Sequence, residues 1–568
     1  MSLPLLAIIL LVGIGIGYRL YSRFVAGQYG LDDTCLTPAC EMNDGVDYVP
    51  TKPFYLMGQH FSAIAAAGPI AGPIMAAQMF GWLPCLLWIG LGTIFIGAVH
   101  DFSSLVASVK HGARSVAEII RLYLGQRGWL AMMLFIWLAL IYVIVAFTDI
   151  TASTFVGKTE EFEGEVFAFN PGGAVAAASA MYLLLAVLMG FVQWRFNPPL
   201  WLQTIIFVPA TLGAVWFGTK ISTFLILDVK TWGVLILAYC FAASLLPMWL
   251  LLQPRGYLGG FILYLTLFVG LIGIFFGGFE VQQESFKTWR VSGMTGALFP
   301  FLFVTIACGA CSGFHGLVCS GTTSKQIEKE THCRPVGYGA MLLEGFVAFI
   351  ALATVMTVAQ PKLQGMAPGK IYGDGIGRFL AILIGQEHLQ FAMTFGAMAF
   401  STFVFDTLDV ATRLSRYIIQ ELFNWSGKRG AVIATAITIM LPLFLILRSG
   451  EGAYRLFWTL FGTGNQLLAA LTLLGITVWL RRSARPVWFA LLPMLFIMSM
   501  TIWSLVIQMR EAYAVVLQEG LVFDTMLLNG LVSASLLLLA AILIIEALRS
   551  LTKPAMSAVK APTTSDMG

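Results

Sequence analysis

The chain has 568 residues, of which 58% are hydrophobic and only 11% are charged. Soluble domains carry about 25% charged residues, so this composition excludes a soluble globular enzyme, a disordered chain and a fibrous protein. The net charge of +4 is too small to indicate a nucleic-acid partner, and the eight scattered cysteines indicate no disulfide framework. Long apolar runs separated by short charged segments predict an all-α polytopic membrane protein.

The apolar runs predict about fifteen transmembrane helices, since a span needs about 20 residues. They lie near 3–25, 57–80, 84–109, 129–155, 174–194, 198–219, 232–252, 258–279, 296–320, 336–359, 389–412, 431–447, 454–479, 487–508 and 525–548. The first run lacks a basic leader and a small-residue cleavage site, so it is interpreted as a retained span. Two weaker segments, 114–124 and 375–385, are too short to cross and are predicted to be interfacial helices.

The distribution of lysine and arginine predicts the orientation of the chain. If the N-terminus is outside, most basic loop residues, including Arg255 and Arg413, fall in cytoplasmic loops. The same orientation places the acidic loop 158–165 outside and the C-terminus in the cytoplasm. We therefore predict a multi-pass membrane protein with an external N-terminus.

Two apolar runs are interrupted by similar clusters of small residues. One is 67–73 (AGPIAGP) and the other is 308–314 (CGACSGF). Each is followed by an unbroken span, a short interfacial helix and a span that carries an aspartate, Asp149 or Asp409. One such run is typical of close helix packing. Two runs at equivalent places, one with a proline pair that removes two backbone donors, favour broken helices instead.

The repeat divides the chain into five predicted parts. They are an N-terminal helix and cytoplasmic gate loop at 1–56, a first five-helix repeat at 57–219, two inserted helices at 220–292, a second five-helix repeat at 293–480, and two C-terminal helices with a cytoplasmic tail at 481–568. Seven spans separate the starts of the two repeats, so the repeats have opposite orientations. Paired breaks in two inverted units indicate a transporter site.

The breaks and nearby ionisable residues could carry the chemistry. The amides that follow Gly68 and Gly309 carry positive partial charge and suit a carboxylate, and the carbonyls of 65–68 suit a cation or an ammonium. His60 and His315 lie close to the breaks, where each is either a proton acceptor or a neutral packing histidine.

A second candidate group lies on one predicted span. Asp406 and Asp409 are three residues apart, hence on one helix face, and so close a pair favours binding of a proton. Thr402, one turn earlier, could share an ion with Asp406. The alternative for Asp409 is an ion pair with Arg413. Asp149 occupies the equivalent place in the first repeat. The run 461–466 (FGTGNQ) is interpreted as a packed polar turn.

Cys308, Cys311, His315 and Cys319 resemble a metal site in content. A second cysteine pair at finger-like spacing is absent from the sequence, and small residues are also what a broken helix requires. We therefore predict no metal and no cofactor. A metal-dependent membrane enzyme or sensor remains the alternative from a different class.

Several stretches together form a specific pattern, namely 43–50 (NDGVDYVP), 60–73, 299–300 (FP), 305–315 (TIACGACSGFH), 320–325 (SGTTSK), 408–413 (LDVATR) and 461–467. With these stretches the sequence resembles the carbon starvation protein (CstA) family of membrane transporters. The resemblance implies uptake of peptides or, in some members, pyruvate, driven by protons. It also implies the amino acid-polyamine-organocation group, whose core is the inverted five-plus-five fold of leucine-type transporters.

In the fold that the resemblance implies, the two broken helices hold the substrate. Carried onto this chain, the substrate-binding residues are His60, Gly68, Pro69, Ala71, Gly72, Pro73, Gly309, Ala310, Ser312, Gly313, Phe314 and His315. The implied ion-coupling residues are Asp149, Thr402, Asp406 and Asp409, although the family often has threonine in place of Asp406. The implied gate residues are Asp44 or Asp47, pairing with Lys325 or Arg413.

The predicted function is secondary active transport by alternating access, with no enzymatic activity. The expected partners are a small-molecule substrate, namely peptides first and pyruvate second, a coupling proton and membrane lipid. A sodium-coupled amino-acid or peptide symporter is the alternative within the class. A channel is a third class, although channels need no paired inverted breaks.

Overall fold

The structure is a computed structural model that describes residues 2–45, 47–157, 169–291, 297–363, 365–450, 453–520 and 524–552. The secondary structure of these residues is helical apart from two isolated bridge pairs, Thr51–Ile327 and Arg290–Ala297. Twelve described helices are long and apolar enough to cross a membrane, and one bent helix pair adds a thirteenth. The all-α polytopic class is confirmed. The acidic loop 158–165 lies outside the described residues.

The helices of the first part of the chain end before the predicted inserted pair. They are α1 (Leu3–Ile16), α2 (Ser22–Gln28), α3 (Pro38–Glu41), α4 (Pro53–Ile64), α5 (Gly68–Phe80), α6 (Trp82–Gly92), α7 (Ala98–Lys110), α8 (Val116–Thr154), α9 (Pro171–Phe196) and α10 (Leu200–Lys220). The π-helical segments Gly17–Tyr21 and Thr93–Gly97 join α1 to α2 and α6 to α7.

The remaining helices are α11 (Val229–Leu245), α12 (Leu252–Phe276), α13 (Leu298–Thr305), α14 (Gly313–Gly321), α15 (Ala340–Met356), α16 (Gln360–Leu363), α17 (Pro368–Ile384), α18 (Leu389–Leu422), α19 (Gly427–Arg448), α20 (Tyr454–Arg482), α21 (Trp488–Glu519) and α22 (Thr525–Leu551). The π-helical segment Arg334–Gly339 leads into α15. Each predicted span overlaps one of these helices or a consecutive pair.

The two predicted interfacial helices have different outcomes. Ser115 caps α8 in a capping box with Glu118, and Gly125 (φ 80°, ψ −173°) divides this helix after its first turns. The segment 114–124 is therefore a separate short helix, as predicted. The segment 375–385 is instead the second half of α17, which begins at Pro368 and packs against α15 and α18. That helix is longer and more buried than its sequence predicts.

The core of the molecule lies around α20, whose most apolar stretch is 100% buried within the protein. The corresponding stretches of α10 and of the first span, Leu3–Gln28, are only 28% buried. Helices that present apolar side chains outward face the bilayer, whereas α20 has protein on every side. The predicted polar turn at 461–466 is wrong, because α20 continues through it without a break.

Both predicted helix breaks are present. The helix α4 ends at Ile64 and α5 begins at Gly68, with a bend of 49° between their axes. The helix α13 ends at Thr305 and α14 begins at Gly313. The first half of one broken helix contacts the second half of the other, since α4 packs against α14 and α5 against α13. The broken helices thus cross antiparallel, as units of opposite orientation require. The proposed division into repeats at 57–219 and 293–480 stays a prediction.

Candidate functional site

The main chains of the two broken helices touch each other at the breaks. A Cβ added to Gly68 would lie 2.3 Å from the Cys308 Sγ, and one added to Gly72 would lie 2.6 Å from the Thr305 carbonyl oxygen. Real Cβ atoms do not approach other atoms below 3.0 Å. Glycine is therefore required at both positions, and the structure brings the predicted residues of the first break directly against the second.

Side-chain donors from neighbouring helices occupy the carbonyl groups at the second break. The Trp458 indole donates to the Thr305 carbonyl at 3.0 Å, and the Trp88 indole donates to the Ile306 carbonyl at 3.1 Å. The Thr93 hydroxyl donates to the Gly309 carbonyl at 3.1 Å. Unwound backbone at membrane depth is tolerated only when its polar groups find such partners. The unwound main chain is therefore held in place by α6, α20 and the π-helical segment between α6 and α7.

Asn465 on α20 organises the start of α14. Its Oδ1 accepts a hydrogen bond from the Phe314 amide at 2.9 Å, and its Nδ2 donates to the Ser312 hydroxyl at 3.0 Å and to the Cys308 Sγ at 3.3 Å. Asn465 thus caps the half-helix and takes one amide that the sequence assigned to a substrate anion. The sequence signal was an asparagine inside an apolar run, which was interpreted as part of a turn.

A buried cluster of histidines and acids lies beside the second break. The Asp101 carboxylate on α7 lies 2.7 Å from the His100 Nδ1 through one oxygen and 2.8 Å from the His315 Nδ1 through the other. The His315 Nε2 is 3.2 Å from the Glu344 Oε2 on α15. All four side chains are at most 1% exposed. We call these residues the histidine–acid cluster: His100, Asp101, His315 and Glu344.

His60 lies next to this cluster but bonds elsewhere. Its Nδ1 is 2.9 Å from the Thr323 hydroxyl, and its Nε2 is 3.8 Å from the Cys319 Sγ. The Cys319 thiol in turn donates to the backbone carbonyl of Asp101 at 3.5 Å. The two predicted histidines therefore lie near one another, on opposite broken helices.

The sequence pattern predicted His315 as a site residue but did not predict the three residues around it. His100 and Asp101 fall inside the predicted span 84–109, and Glu344 falls inside 336–359. Ionisable residues within spans are functional by default, so the signal for all three was available. Within the described residues, no group of three or more histidine, cysteine, aspartate or glutamate side chains is arranged to hold a metal ion.

Asp406 and Asp409, the predicted acid pair, both reach a single arginine. The Arg255 Nη2 is 2.7 Å from the Asp406 Oδ1, and its Nη1 forms an ion pair with the Asp409 Oδ2. The Tyr239 hydroxyl donates to the same Asp409 oxygen at 2.8 Å. The prediction that Arg255 lies in a cytoplasmic loop is wrong, since its side chain is 1% exposed within the protein. These contacts tie α11 and α12 to α18.

The alternative ion pair of Asp409 with Arg413 is not formed. The Arg413 guanidinium donates instead to the backbone carbonyls of Ala243 and Leu246, both at 2.8 Å. Those carbonyls lie at the end of α11, where cationic side chains suit the helix dipole. Arg413 consequently contacts the inserted helix pair, and its role as a gate residue stays a prediction.

Thr402 and Asp149 occupy different surroundings. Thr402 faces the same glycine as Asp406, because a Cβ added to Gly259 would lie 2.8 Å from the Asp406 Oδ2 and 3.6 Å from the Thr402 Cγ2. Asp149 is buried on α8 and bonds to the backbone of Tyr454 at the start of α20. Asp149 thus contacts α20, whereas the acid pair contacts α12.

The predicted gate segment does meet the loop that follows α14. The Val49 amide donates to the Lys325 carbonyl at 3.2 Å, and the Thr51 amide donates to the Gln326 carbonyl at 3.0 Å. The Lys325 ammonium lies 5.3 Å from the centre of the Tyr48 ring. Asp44 accepts hydrogen bonds from the backbone amides of Asp47 and Tyr48. The two segments are joined through the backbone and a cation–π contact, and the ion pair of Lys325 with Asp44 or Asp47 stays a prediction.

The model of the family described as carbon starvation protein CstA matches residues 2–374 and 363–504. This chain belongs to the CstA family. It is 32% identical to the peptide transporter CstA of Campylobacter jejuni over 86% of this chain and 78% of the relative. It is 30% identical to the peptide transporter CstA of Bacillus subtilis over 94% and 95%, and 30% identical to the pyruvate/proton symporter BtsT of Escherichia coli over 86% and 79%.

Proposed function

We propose that this CstA-family protein imports peptides, or in second place pyruvate, together with protons across the bacterial inner membrane. The observation that carries the proposal is the antiparallel crossing of two broken helices whose main chains touch. Discontinuous helices of this kind hold the substrate near the bilayer midplane in secondary transporters. Relatives named as peptide transporters and as a pyruvate/proton symporter support the two substrates and the coupling ion.

Peptides and pyruvate share a carboxylate, which we propose binds beside the two helix breaks. Helix N-termini favour anions. The Phe314 amide of α14 is taken by Asn465. In the first turn of α5, Pro69 has no amide hydrogen, and the amides of residues 70 and 71 donate to the Ala67 carbonyl. The two half-helices therefore offer a carboxylate mainly the positive partial charge of their N-termini. The residues Gly68 to Pro73 on one side and Gly309 to His315 on the other are proposed to line the substrate path.

Alternating access then requires a fixed part and a moving part. The buried ion pairs of Arg255 with Asp406 and Asp409 hold α12 and α18 together as part of the fixed part. The backbone pairing of Val49 with Lys325 is proposed to open when the cytoplasmic side becomes accessible. This assignment replaces the ion coupling that the sequence suggested for the acid pair, because both carboxylates already form ion pairs with one guanidinium.

Transport in liposomes tests this proposal. The purified chain is reconstituted, a pH gradient is imposed, and accumulation of a labelled dipeptide or of labelled pyruvate is measured. A gradient of about one pH unit corresponds to about tenfold accumulation for one proton per substrate. We expect accumulation that a protonophore abolishes and that protein-free liposomes lack. Absence of uptake of both substrates by monodisperse protein contradicts the proposal.

The proposed orientation has its own test. Ser2 and Ser426 are each replaced by cysteine in a variant that lacks the native cysteines. Intact cells that express either protein are then labelled with a membrane-impermeant maleimide. The proposed orientation predicts labelling at Ser2 and protection at Ser426, since the loop before α19 is assigned to the cytoplasm. The reverse pattern contradicts it.

A further inference from the structure

Glu344 is a fully buried carboxyl group that lies on α15, outside the two broken helices. Its side chain is 0% exposed, and neither carboxylate oxygen has a hydrogen bond of good geometry within the described residues. Its polar neighbour is the His315 Nε2 at 3.2 Å. A buried acid without a satisfied partner is costly, and inside a membrane such a group marks a functional site.

The hydrogen bonds of Asp101 determine which nitrogen of His315 is available to Glu344. A carboxylate only accepts hydrogen bonds, so both histidines must carry a proton on Nδ1 to bond to Asp101 at 2.7 and 2.8 Å. The His315 Nε2 then faces Glu344 with the lone pair of a neutral ring or with the N–H of a charged ring. Asp101 thereby fixes the tautomer and the orientation of this imidazole.

One proton between His315 and Glu344 makes their contact attractive. Either the Glu344 hydroxyl donates to Nε2, or the Nε2–H of the charged ring donates to the carboxylate. Without that proton a nitrogen lone pair faces a carboxylate oxygen across 3.2 Å, and the contact becomes repulsive. The pair therefore changes from attractive to repulsive on the loss of a single proton.

The surroundings of the pair leave this charge uncompensated. The titratable groups that face it are Asp101 and His100 from α7, His60 from α4, and Cys308 and Cys311 from the second break. In the described part of the chain, Asp101 and Glu344 form ion pairs with histidines alone. With the proton bound, the cluster carries the single negative charge of Asp101. Without it, a second negative charge stands beside the break.

The position of His315 connects this charge to the moving elements. It is the third residue of α14, the half-helix that starts at the second break, whereas Glu344 lies on α15. Proton binding therefore draws α14 and α15 together, and proton loss separates them. A second negative charge beside the break also disfavours a substrate carboxylate. Proton binding and substrate binding thus favour each other, which is the coupling that symport requires.

We propose that Glu344 and His315 together form the proton-binding site of this protein, with Asp101 as the residue that positions His315. The inference rests on the function proposed above and names the residues of its coupling ion. It assigns the proton to the histidine–acid cluster, because Asp406 and Asp409 both pair with a permanently charged guanidinium whereas Glu344 pairs with a histidine, which can share a proton with it.

The test compares Glu344→Gln with Glu511→Gln, the same chemical change on α21, outside the two broken helices. Each protein is reconstituted in liposomes, and two quantities are measured. One is accumulation driven by a pH gradient, and the other is exchange of labelled for unlabelled substrate at equal pH on both sides. A third measurement, infrared difference spectroscopy between acidic and alkaline pH, detects the protonated carboxyl group without any need for transport.

We expect Glu344→Gln to lose the roughly tenfold accumulation that one pH unit drives, and its exchange to become independent of pH. Glu344→Gln is expected to remove one titrating carboxyl band from the wild-type spectrum, and that band is expected to persist in Glu511→Gln. Asp101→Asn is expected to shift the pH at which that band titrates, because the imidazole loses its fixed tautomer.

Three results overturn the inference. The first is wild-type accumulation by Glu344→Gln, and the second is unchanged carboxyl absorption in that variant. The third is the loss of both exchange and accumulation in a Glu344→Gln protein that is monodisperse and keeps the substrate-induced thermal shift. A residue that only carries the proton is not needed for exchange. Failure of the wild type to take up peptide or pyruvate contradicts the proposed function instead, and the infrared titration then still decides whether Glu344 binds a proton.

Discussion

Gly72 lies where the two broken helices touch, so its replacement by alanine tests their contact. The added Cβ would lie 2.6 Å from the Thr305 carbonyl oxygen and 3.3 Å from the Ile306 Cα. Both are backbone atoms, so no side-chain rotation relieves the clash. The helices must separate by at least 0.4 Å, the difference between 2.6 Å and the 3.0 Å minimum for Cβ atoms. The Trp458 indole, which holds the Thr305 carbonyl, resists this movement.

The expected loss of stability follows from two opposing effects. Alanine is about 1 kcal/mol more favourable than glycine inside a helix, whereas overpacking a tight contact costs about 1–3 kcal/mol. We expect Gly72→Ala to lower the free energy of unfolding by at most about 2 kcal/mol, the overpacking cost less the helix gain of alanine. Uptake in liposomes should fall by about tenfold, the effect of about 1.4 kcal/mol on the binding equilibrium.

The assay combines thermal unfolding in detergent with uptake in liposomes, and Gly213→Ala on α10 is the matched control. A Cβ added to Gly213 meets no atom within 4 Å, so this variant should gain a little stability and transport normally. If Gly72→Ala has the unfolding temperature and uptake of the wild type, the two breaks are not in contact and the proposed site is refuted.

Three further predictions address the contacts that hold the site in place. Arg255→Leu should lower the free energy of unfolding by about 3–5 kcal/mol, because it leaves buried carboxylates unpaired. Adding Asp406→Asn and Asp409→Asn should restore most of the lost stability. Calorimetry that shows no restoration would contradict the ion pairs. Asn465→Ala should cost about 1–3 kcal/mol through the unsatisfied Phe314 amide and reduce uptake, whereas a normal unfolding temperature would argue against the cap. Replacement of sodium by choline at constant pH should leave uptake unchanged, since Arg255 fills the predicted ion site; a strict sodium requirement would exclude proton coupling as proposed.

The fold was largely predictable because its signals are local. A bilayer requires long apolar helices with satisfied backbones, so every predicted span overlaps a helix or helix pair. Both breaks were predictable because small residues and Pro69–Pro73 interrupt an apolar run. The turn predicted at 461–466 is wrong because its composition suits two different structures. The small residues there allow close packing, since a Cβ on Gly462 would lie 2.0 Å from the Val304 carbonyl oxygen, and the same composition also suits a turn.

Partner choice among the charged residues was far less predictable. Asp409 is four residues from Arg413, so local spacing favours that pair, yet its partner is Arg255, 154 residues earlier. Arg255 itself stands near the end of an apolar run, where a basic residue is typical of a loop. Its burial becomes favourable only when two carboxylates and a tyrosine hydroxyl surround it.

The sequence by itself determined that this chain is a polytopic helical membrane protein with two unwound helices, because hydrophobicity and backbone hydrogen bonding act along the chain. Only the tertiary structure decided that the two breaks touch, that Asn465 caps one of them, and that His100, Asp101, His315 and Glu344 form one cluster. The physical reason is that these polar groups lie on α7, α14, α15 and α20, and a contact between distant helices leaves no periodic signal in the sequence of either one.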